Sequence, residues 1–149
     1  MTRILFICQG NFGSNQIAEA VLKDLVKKAG LEKEFQIESA VASTEEGHNS
    51  AYLPVHGIDC PAKRVRQLKN SDYEQYDLLI GMDWADMRSM YQICGGDFAD
   101  KMHLLLDFTD HSSERTEREY DYDVERFRKG VKDGCRGLLQ RVSHKKTEL

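Results

Sequence analysis

Four short apolar segments, separated by amphipathic or polar stretches, organise this chain. Arg3–Cys8 (RILFIC) is almost continuously apolar, the mark of a strand buried on both faces. Phe35–Ala40 (FQIESA) alternates apolar and polar residues, and Tyr76–Gly81 (YDLLIG) and Met102–Phe108 (MHLLLDF) are again short apolar runs. Between the first two, residues 15–30 place Ile17, Val21, Leu22, Leu25, Val26 and Ala29 on one helical face. Lys27 and Lys28 fall in the last turn of that helix, and Gly30 is its stop. A second helix fits Asp83–Ile93, with Met87, Met90 and Tyr91 turned inward. A third runs from about Asp123 to Val142, where Val124, Phe127, Val131, Leu138, Leu139 and Val142 form a stripe weakened by Gly130, Gly134 and Gly137. Residues 42–56 and 109–122 carry neither period; both are polar, and the second is dense in charge.

Strands alternating with helices imply a parallel sheet covered on both faces: an α/β chain, three-layer α/β/α, with a four-stranded parallel sheet. With no internal repeat and no linker, residues 1–149 are expected to form one domain. Ligands of such sheets bind beyond the carboxyl ends of the strands, near the switch in strand order. The loop after the first strand is therefore the first place to look for chemistry.

Composition narrows the function classes. A formal net charge of -4 argues against general binding to nucleic acid or to an acidic membrane surface. No apolar run approaches the ~20 residues that span a bilayer, and Ile4–Cys8 is too short for a signal-peptide core, so the expected location is cytoplasmic. The four cysteines (Cys8, Cys60, Cys94, Cys135) form no C-x-x-C pair, as reduced thiols would be spaced, and the dispersed histidines offer no zinc site. No metal and no cofactor is expected.

The loop itself reads Cys8-Gln9-Gly10-Asn11-Phe12-Gly13-Ser14-Asn15 and leads into the first helix. Gly10 and Gly13 open backbone angles that other residues resist, and Asn11 tolerates the left-handed region. Such a loop turns several N–H groups toward one point, where the helix dipole adds positive potential; Ser14 or Asn15 is placed to cap the helix. The same field would stabilise a thiolate at Cys8. The plainer alternative is a strand–turn–helix connection with Cys8 as a small buried apolar residue. A nucleotide P-loop needs Gly-Lys-Ser/Thr and a dinucleotide fingerprint needs G-x-G-x-x-G, and neither is present.

The segment ILFICQGNFGSNQIAEAVLKDL resembles the opening of the low-molecular-weight protein tyrosine phosphatase family. That family combines an apolar strand, a Cys-x5-Arg-Ser/Thr loop of the type C-x-G-N-x-x-R-S, and a Pro-Met-Ala-Glu helix start. YDLLIGMDWADMRSM resembles the family's third strand and Met-Asp segment, ESA the end of its second strand, and DGCRGLL its C-terminal helix. The likeness covers residues 3–42, 57–108 and 127–139. It implies that the Cys8 thiolate attacks phosphorus to form a phosphocysteine. An aspartic acid in a late loop then protonates the leaving tyrosine and afterwards activates water. Residues Gln9, Gly10, Asn11, Phe12, Gly13, Ser14 and Asn15 would hold the phosphate. The implied ligand is a phosphotyrosine protein, a small aryl phosphate or inorganic phosphate.

The same comparison locates departures. Where the family has the loop arginine this chain has Ser14, followed by Asn15 and Gln16 in place of the family's Ser/Thr and proline. A guanidinium is planar, permanently charged and matched to phosphate oxygens, and a serine hydroxyl supplies none of this. By analogy with arginine fingers, its loss should cost about 10³–10⁵ in rate. For the general acid, Asp121 is the best positional match, followed by Tyr122 rather than proline; Asp123 competes, and either fits a helix-start carboxylate. The segment holding His48 and His56 is shorter than the family's and lacks its Pro-x-Asp-x-Arg helix, and both histidines read as surface or packing residues. Arg66 reads as structural, with charge supplied to the loop as its minor alternative; Trp84 reads as packing, with a wall of the cleft as the alternative; and Tyr120 and Tyr122 resemble the family's paired cleft tyrosines, with plain exposed aromatics as the alternative. Ser39 is expected to hydrogen-bond loop groups, as the resemblance implies from its counterpart in the family, and the tail from Ser143 to fray.

Two functions follow: a cysteine-dependent phosphatase with strongly impaired or absent turnover, or a non-catalytic relative that docks phosphate or phosphoproteins through the same cleft. Arsenate reduction on the same fold ranks last, because it needs an arginine-bearing loop and a relay of nearby cysteines, and those of this chain lie far apart in sequence.

Overall fold

The computed structural model describes residues 1–8, 14–42, 66–109 and 124–147. The chain alternates as the apolar pattern requires: β1 (Thr2–Cys8), α1 (Ser14–Lys28), β2 (Phe35–Val41), a short α2 (Asp72–Gln75), β3 (Leu78–Gly81), α3 (Trp84–Cys94), β4 (Met102–Leu104) and α4 (Val124–Thr147). The four strands form one all-parallel sheet in the order β2-β1-β3-β4. β1 sits at the centre and is buried throughout Ile4–Cys8, as its unbroken hydrophobicity demands.

The two faces of β1 feed two cores. Ile4, Phe6 and Cys8 point with Phe35 and Ile37 toward α1 and α4, whose Ile17, Ala18, Val21, Leu22, Val26, Val131, Cys135 and Leu138 complete that layer. Leu5 and Ile7 point with Ala40 and Leu79 toward α3, whose Met87, Met90 and Cys94 close the other side together with Tyr73 and Tyr76. The result is the expected α/β/α stack.

Several boundaries differ from the sequence reading. The run Met102–Phe108 is a strand only to Leu104; Leu105–Phe108 coil into a 3-10 turn. That turn brings Leu105 and Phe108 under α4, a role that strand geometry would deny them. β3 begins at Leu78, because Tyr76 ends the short α2, with its N–H bonded to the Asp72 carbonyl. On α3, Met87 and Met90 are buried but Tyr91 is 44% exposed, since it lies outside the arc facing the sheet. Ala29 falls beyond α1 and is exposed, while Gly30 adopts φ +72°, the left-handed stop expected of it. α4 runs to Thr147, so the tail is helical for a further turn instead of fraying at Ser143.

The glycines of α4 also change meaning. A Cβ on Gly137 would lie 1.8 Å from the Phe108 carbonyl oxygen, and one on Gly134 would lie 2.7 Å from Leu105 Cγ. They are weak helix formers, yet only they let α4 seat on the 3-10 turn.

Candidate functional site

The strand order fixes where a ligand pocket can form. α1 carries the chain from β1 to β2 on one side, and the next crossover returns it to β3 on the other side of β1. The sheet therefore switches direction between β1 and β3, and the crevice opens beyond their carboxyl ends. Ile7 pairs with Gly81, so Cys8 and Met82 leave the sheet side by side.

Cys8 is the last residue of β1 and is buried, and its carbonyl accepts a hydrogen bond from the Ala42 N–H at 2.8 Å. α1 opens at Ser14, so its N-terminus follows Cys8 after five residues, Gln9 to Gly13, which lie outside the described residues. The first turn of α1 carries no carboxylate, and Lys27 and Lys28 occupy its last turn. The positive end of the helix dipole thus faces the crevice without an acidic side chain of its own first turn to offset it.

Behind that N-terminus lies a buried polar cluster that ties α1 to β2. Asn15 is buried, with its Nδ2 donating to the Ala40 carbonyl at 2.8 Å and its Oδ1 accepting from the Gln16 N–H at 2.9 Å. Its side chain is thus engaged with β2, which leaves its backbone as the part nearest the loop. Ser39 Oγ donates to Glu19 Oε1 at 2.7 Å, and Lys23 Nζ pairs with Glu19 Oε2 at 2.5 Å. Glu19 is almost fully buried, yet both its oxygens are served, as a buried carboxylate must be. Ser39 therefore braces the helix that carries the loop.

The other wall of the crevice is the β3–α3 turn. Asp83 caps α3 by accepting from the Asp86 N–H at 2.9 Å. Asp86 returns the bond, and its Oδ2 accepts from the N–H groups of Met82 at 3.0 Å and Asp83 at 3.1 Å. This capping box holds the turn rigidly at the level of Cys8. Burial, with the nearby Asp83 carboxylate second, pushes the Asp86 carboxyl up to about 7. The two helix N-termini at this edge thus differ: that of α3 is capped by carboxylates of its own, whereas the first turn of α1 carries none.

Arg66 donates from Nη1 to Asp72 Oδ2 at 3.0 Å and to the Gln67 carbonyl at 3.3 Å, which anchors the segment entering α2 and fits its structural reading. Tyr76 sits beside it with its hydroxyl bonded to Glu38, and burial, then Glu38, pushes its phenol up to about 12. Trp84, expected as packing, is 43% exposed at the start of α3. Asp121, Asp123, His48, His56, Tyr120 and Tyr122 lie outside the described residues. Among the described residues no group of His, Cys, Asp and Glu is arranged to hold a metal ion, and no helix is long and apolar enough to cross a membrane.

Sequence reading missed the Glu19–Ser39–Lys23 cluster and the Asp83–Asp86 box. Both left a signal. Glu19 is an acid on the buried arc between Ala18 and Leu22, and Asp83-x-x-Asp86 has capping-box spacing.

Comparison with known proteins agrees with this architecture. The family described as low molecular weight phosphotyrosine protein phosphatase matches residues 3–148. The chain is similar to the low molecular weight protein-tyrosine-phosphatase YfkJ of Bacillus subtilis, at 27% identity over 98% of this chain and 99% of that protein. It is also similar to low molecular weight phosphotyrosine protein phosphatase 2 of Drosophila melanogaster, at 28% identity over 93% of this chain and 91% of that one. The crystal structure of YfkJ superposes with a TM-score of 0.84 at 26% identity, covering 98% of this chain and 97% of its own.

Proposed function

The chain belongs to the low molecular weight phosphotyrosine protein phosphatase family, and on that premise we propose that the Cys8 loop is a phosphate-monoester site whose turnover is crippled by Ser14. The observation that carries the reading is the placement of Cys8. It is a buried thiol at the carboxyl end of the central strand, at the sheet's switch point, one loop away from a helix N-terminus with no carboxylate in its first turn.

The chemistry follows from those parts. The Cys8 thiolate attacks phosphorus; an S–P bond forms as the bond from phosphorus to the aryl oxygen breaks, and the leaving oxygen takes a proton from Asp121 or, as the alternative, Asp123. Water then attacks phosphorus and gives its proton to the same carboxylate. The S–P bond breaks, which releases inorganic phosphate and restores the thiolate. Backbone N–H groups of residues 9–15 hold the non-bridging oxygens throughout.

Position 14 is where α1 begins, so a guanidinium there would stand at the helix N-terminus and chelate two phosphoryl oxygens. Serine leaves the backbone cradle but removes the charge that strengthens binding as the transition state forms. The braces behind the loop, from Asn15, Ser39 and Glu19, are intact. A kept scaffold with a missing guanidinium also favours a second reading, a pseudophosphatase that docks phosphotyrosine proteins without cleaving them. Arsenate reduction finds no support among the described cysteines. Cys94 ends α3 at the opposite edge of the sheet, and Cys135 lies against the Ala18 carbonyl between α1 and α4.

Aryl-phosphate hydrolysis by the chain as it stands, by Cys8→Ser and by Ser14→Arg separates these readings. We expect barely measurable turnover for the unaltered chain, none for Cys8→Ser, and a gain of about 10³–10⁵ for Ser14→Arg. Fast turnover by the unaltered chain that Cys8→Ser abolishes would overturn the impaired reading. In parallel, inorganic phosphate should raise the melting temperature, as any native-state ligand does.

A further inference from the structure

The β3–α3 turn that walls the crevice holds a buried acid that the proposed reaction does not use. Asp86 is 2% exposed and packs directly on the end of β3, where a Cβ on Gly81 would stand 3.3 Å from Asp86 Cβ. Gly81 pairs with Ile7, and Asp86 Oδ2 lies 3.0 Å from the nitrogen of Met82, the residue level with Cys8. Across one strand spacing, this puts the Asp86 carboxyl within about 10 Å of the Cys8 backbone. The two carboxyl groups of the capping box are also in hydrogen-bond contact with each other.

The surroundings give the pair little else to balance its charge. β1, β3 and β4 present Leu5, Ile7, Leu79, Met102 and Leu104 to α3, all apolar, and Arg88 on α3 itself is exposed. Among the described residues the charge that bears most on Asp86 is the Asp83 carboxylate. Two carboxyl groups in contact, one of them buried, share a proton, so the turn has a form with one negative charge and a form with two. An anion in the Cys8 loop is repelled more by the second. We propose that Asp86 is a positioning residue for the Cys8 site, acting through its contact with Asp83: as a neutral acid it completes the wall of the crevice without a second negative charge, so that an oxyanion and this proton are bound cooperatively. Burial first, and Asp83 second, set the release of the proton near pH 7. Anion affinity is therefore full below that pH and falls as pH rises through it.

This proposal rests on the phosphate-site reading, and the test keeps the two apart. The probe is sulfate, a dianion throughout pH 5.5–9, added to Cys8→Ser so that neither probe nor thiol titrates. Titration calorimetry follows its affinity over that range in Cys8→Ser, with and without Asp86→Asn, which keeps an acceptor toward Met82 and Asp83 but cannot ionise. With rising pH, sulfate affinity should fall about ten-fold more in the protein that keeps Asp86, as a unit charge about 10 Å away implies. The converse measurement needs no substitution at position 86. The carboxyl carbon resonance of Asp86 should titrate with a midpoint about one pH unit higher under saturating sulfate, because the coupling is reciprocal. A carboxyl that only caps α3 would show no such shift. If sulfate binds and the Asp86 midpoint stays fixed, the coupling is overturned and the anion site stands. If sulfate binds at no pH, both readings fall.

Discussion

Replacing Gly137 by alanine adds one methyl group where the fold has no space for it. The new Cβ would stand 1.8 Å from the Phe108 carbonyl oxygen, 2.8 Å from its carbonyl carbon and 3.2 Å from its Cβ. Two of those atoms are backbone, so no rotamer change relieves the contact. Either α4 withdraws by more than 1 Å or the 3-10 turn is pushed off the sheet edge. Helix propensity alone would make the change favourable by about 1 kcal/mol. Overpacking in a core costs about 1–3 kcal/mol, and backbone contact puts this site at or above the upper end. The net expectation is a loss of about 2 kcal/mol, or a melting temperature lower by about 4–8 °C for a domain of this size. Arg136→Ala, one position earlier on the exposed side of α4, is the control and should change little. Thermal unfolding followed by far-UV circular dichroism measures both. If Gly137→Ala matches or exceeds the parent's stability, the close seating of α4 on Phe108 is wrong.

Other outcomes follow from the site's surroundings. Asp86 has a native pKa near 7 against an ordinary 3.8, so the fold holds its proton; that contribution is complete below about pH 4 and is lost as pH rises through 7. Asp86→Asn keeps an acceptor for the Met82 and Asp83 N–H groups while removing the titration. Urea midpoints of parent and variant should therefore converge near pH 4 and diverge steadily toward pH 8 in favour of the variant; parallel curves would refute the assignment. Burial pushes the Cys94 thiol up to about 11, with Asp72 and Asp97 adding to it, and pushes Cys135 higher still. Iodoacetamide at pH 7.5 should leave both unlabelled in the native protein and label both in urea, as read by peptide mass spectrometry; native labelling of Cys135 would contradict its seat between α1 and α4. Asn15→Ala leaves the Ala40 carbonyl without its side-chain partner in a buried place, which should cost about 1–3 kcal/mol and reduce the phosphate-induced rise in melting temperature. An unchanged rise would mean that this brace does not position the loop.

Legibility followed the range of the interactions involved. β1 was readable because a centre strand of a parallel sheet must be apolar on both faces, and Ile4–Ile7 are. The arc of Ile17, Val21, Leu22 and Val26 named the buried side of α1 for the same kind of reason: a 3.6-residue period is a local fact. Helix stops with a backbone cause were readable as well, as at Gly30. Residues 105–108 are not legible in the same way, because an apolar run does not distinguish a strand from a 3-10 turn, and only the underside of α4 selects between them. The helical period at Tyr91 is compatible with either side, and only the direction of the sheet leaves it exposed.

At the site, the sequence by itself determined the chemistry on offer: a cysteine after an apolar strand, a glycine-bearing loop, a helix to follow, and serine where an arginine would make such a loop fast. Residue identity is enough for that, because nucleophilicity and charge belong to side chains. Only the tertiary structure decided which groups support the loop. Glu19 meets Ser39 across 20 positions and Asn15 meets Ala40 across 25, and Gly137 makes room for Phe108 at a single close approach. Such contacts depend on how strands are ordered and how helices cross them, and no local period encodes that order.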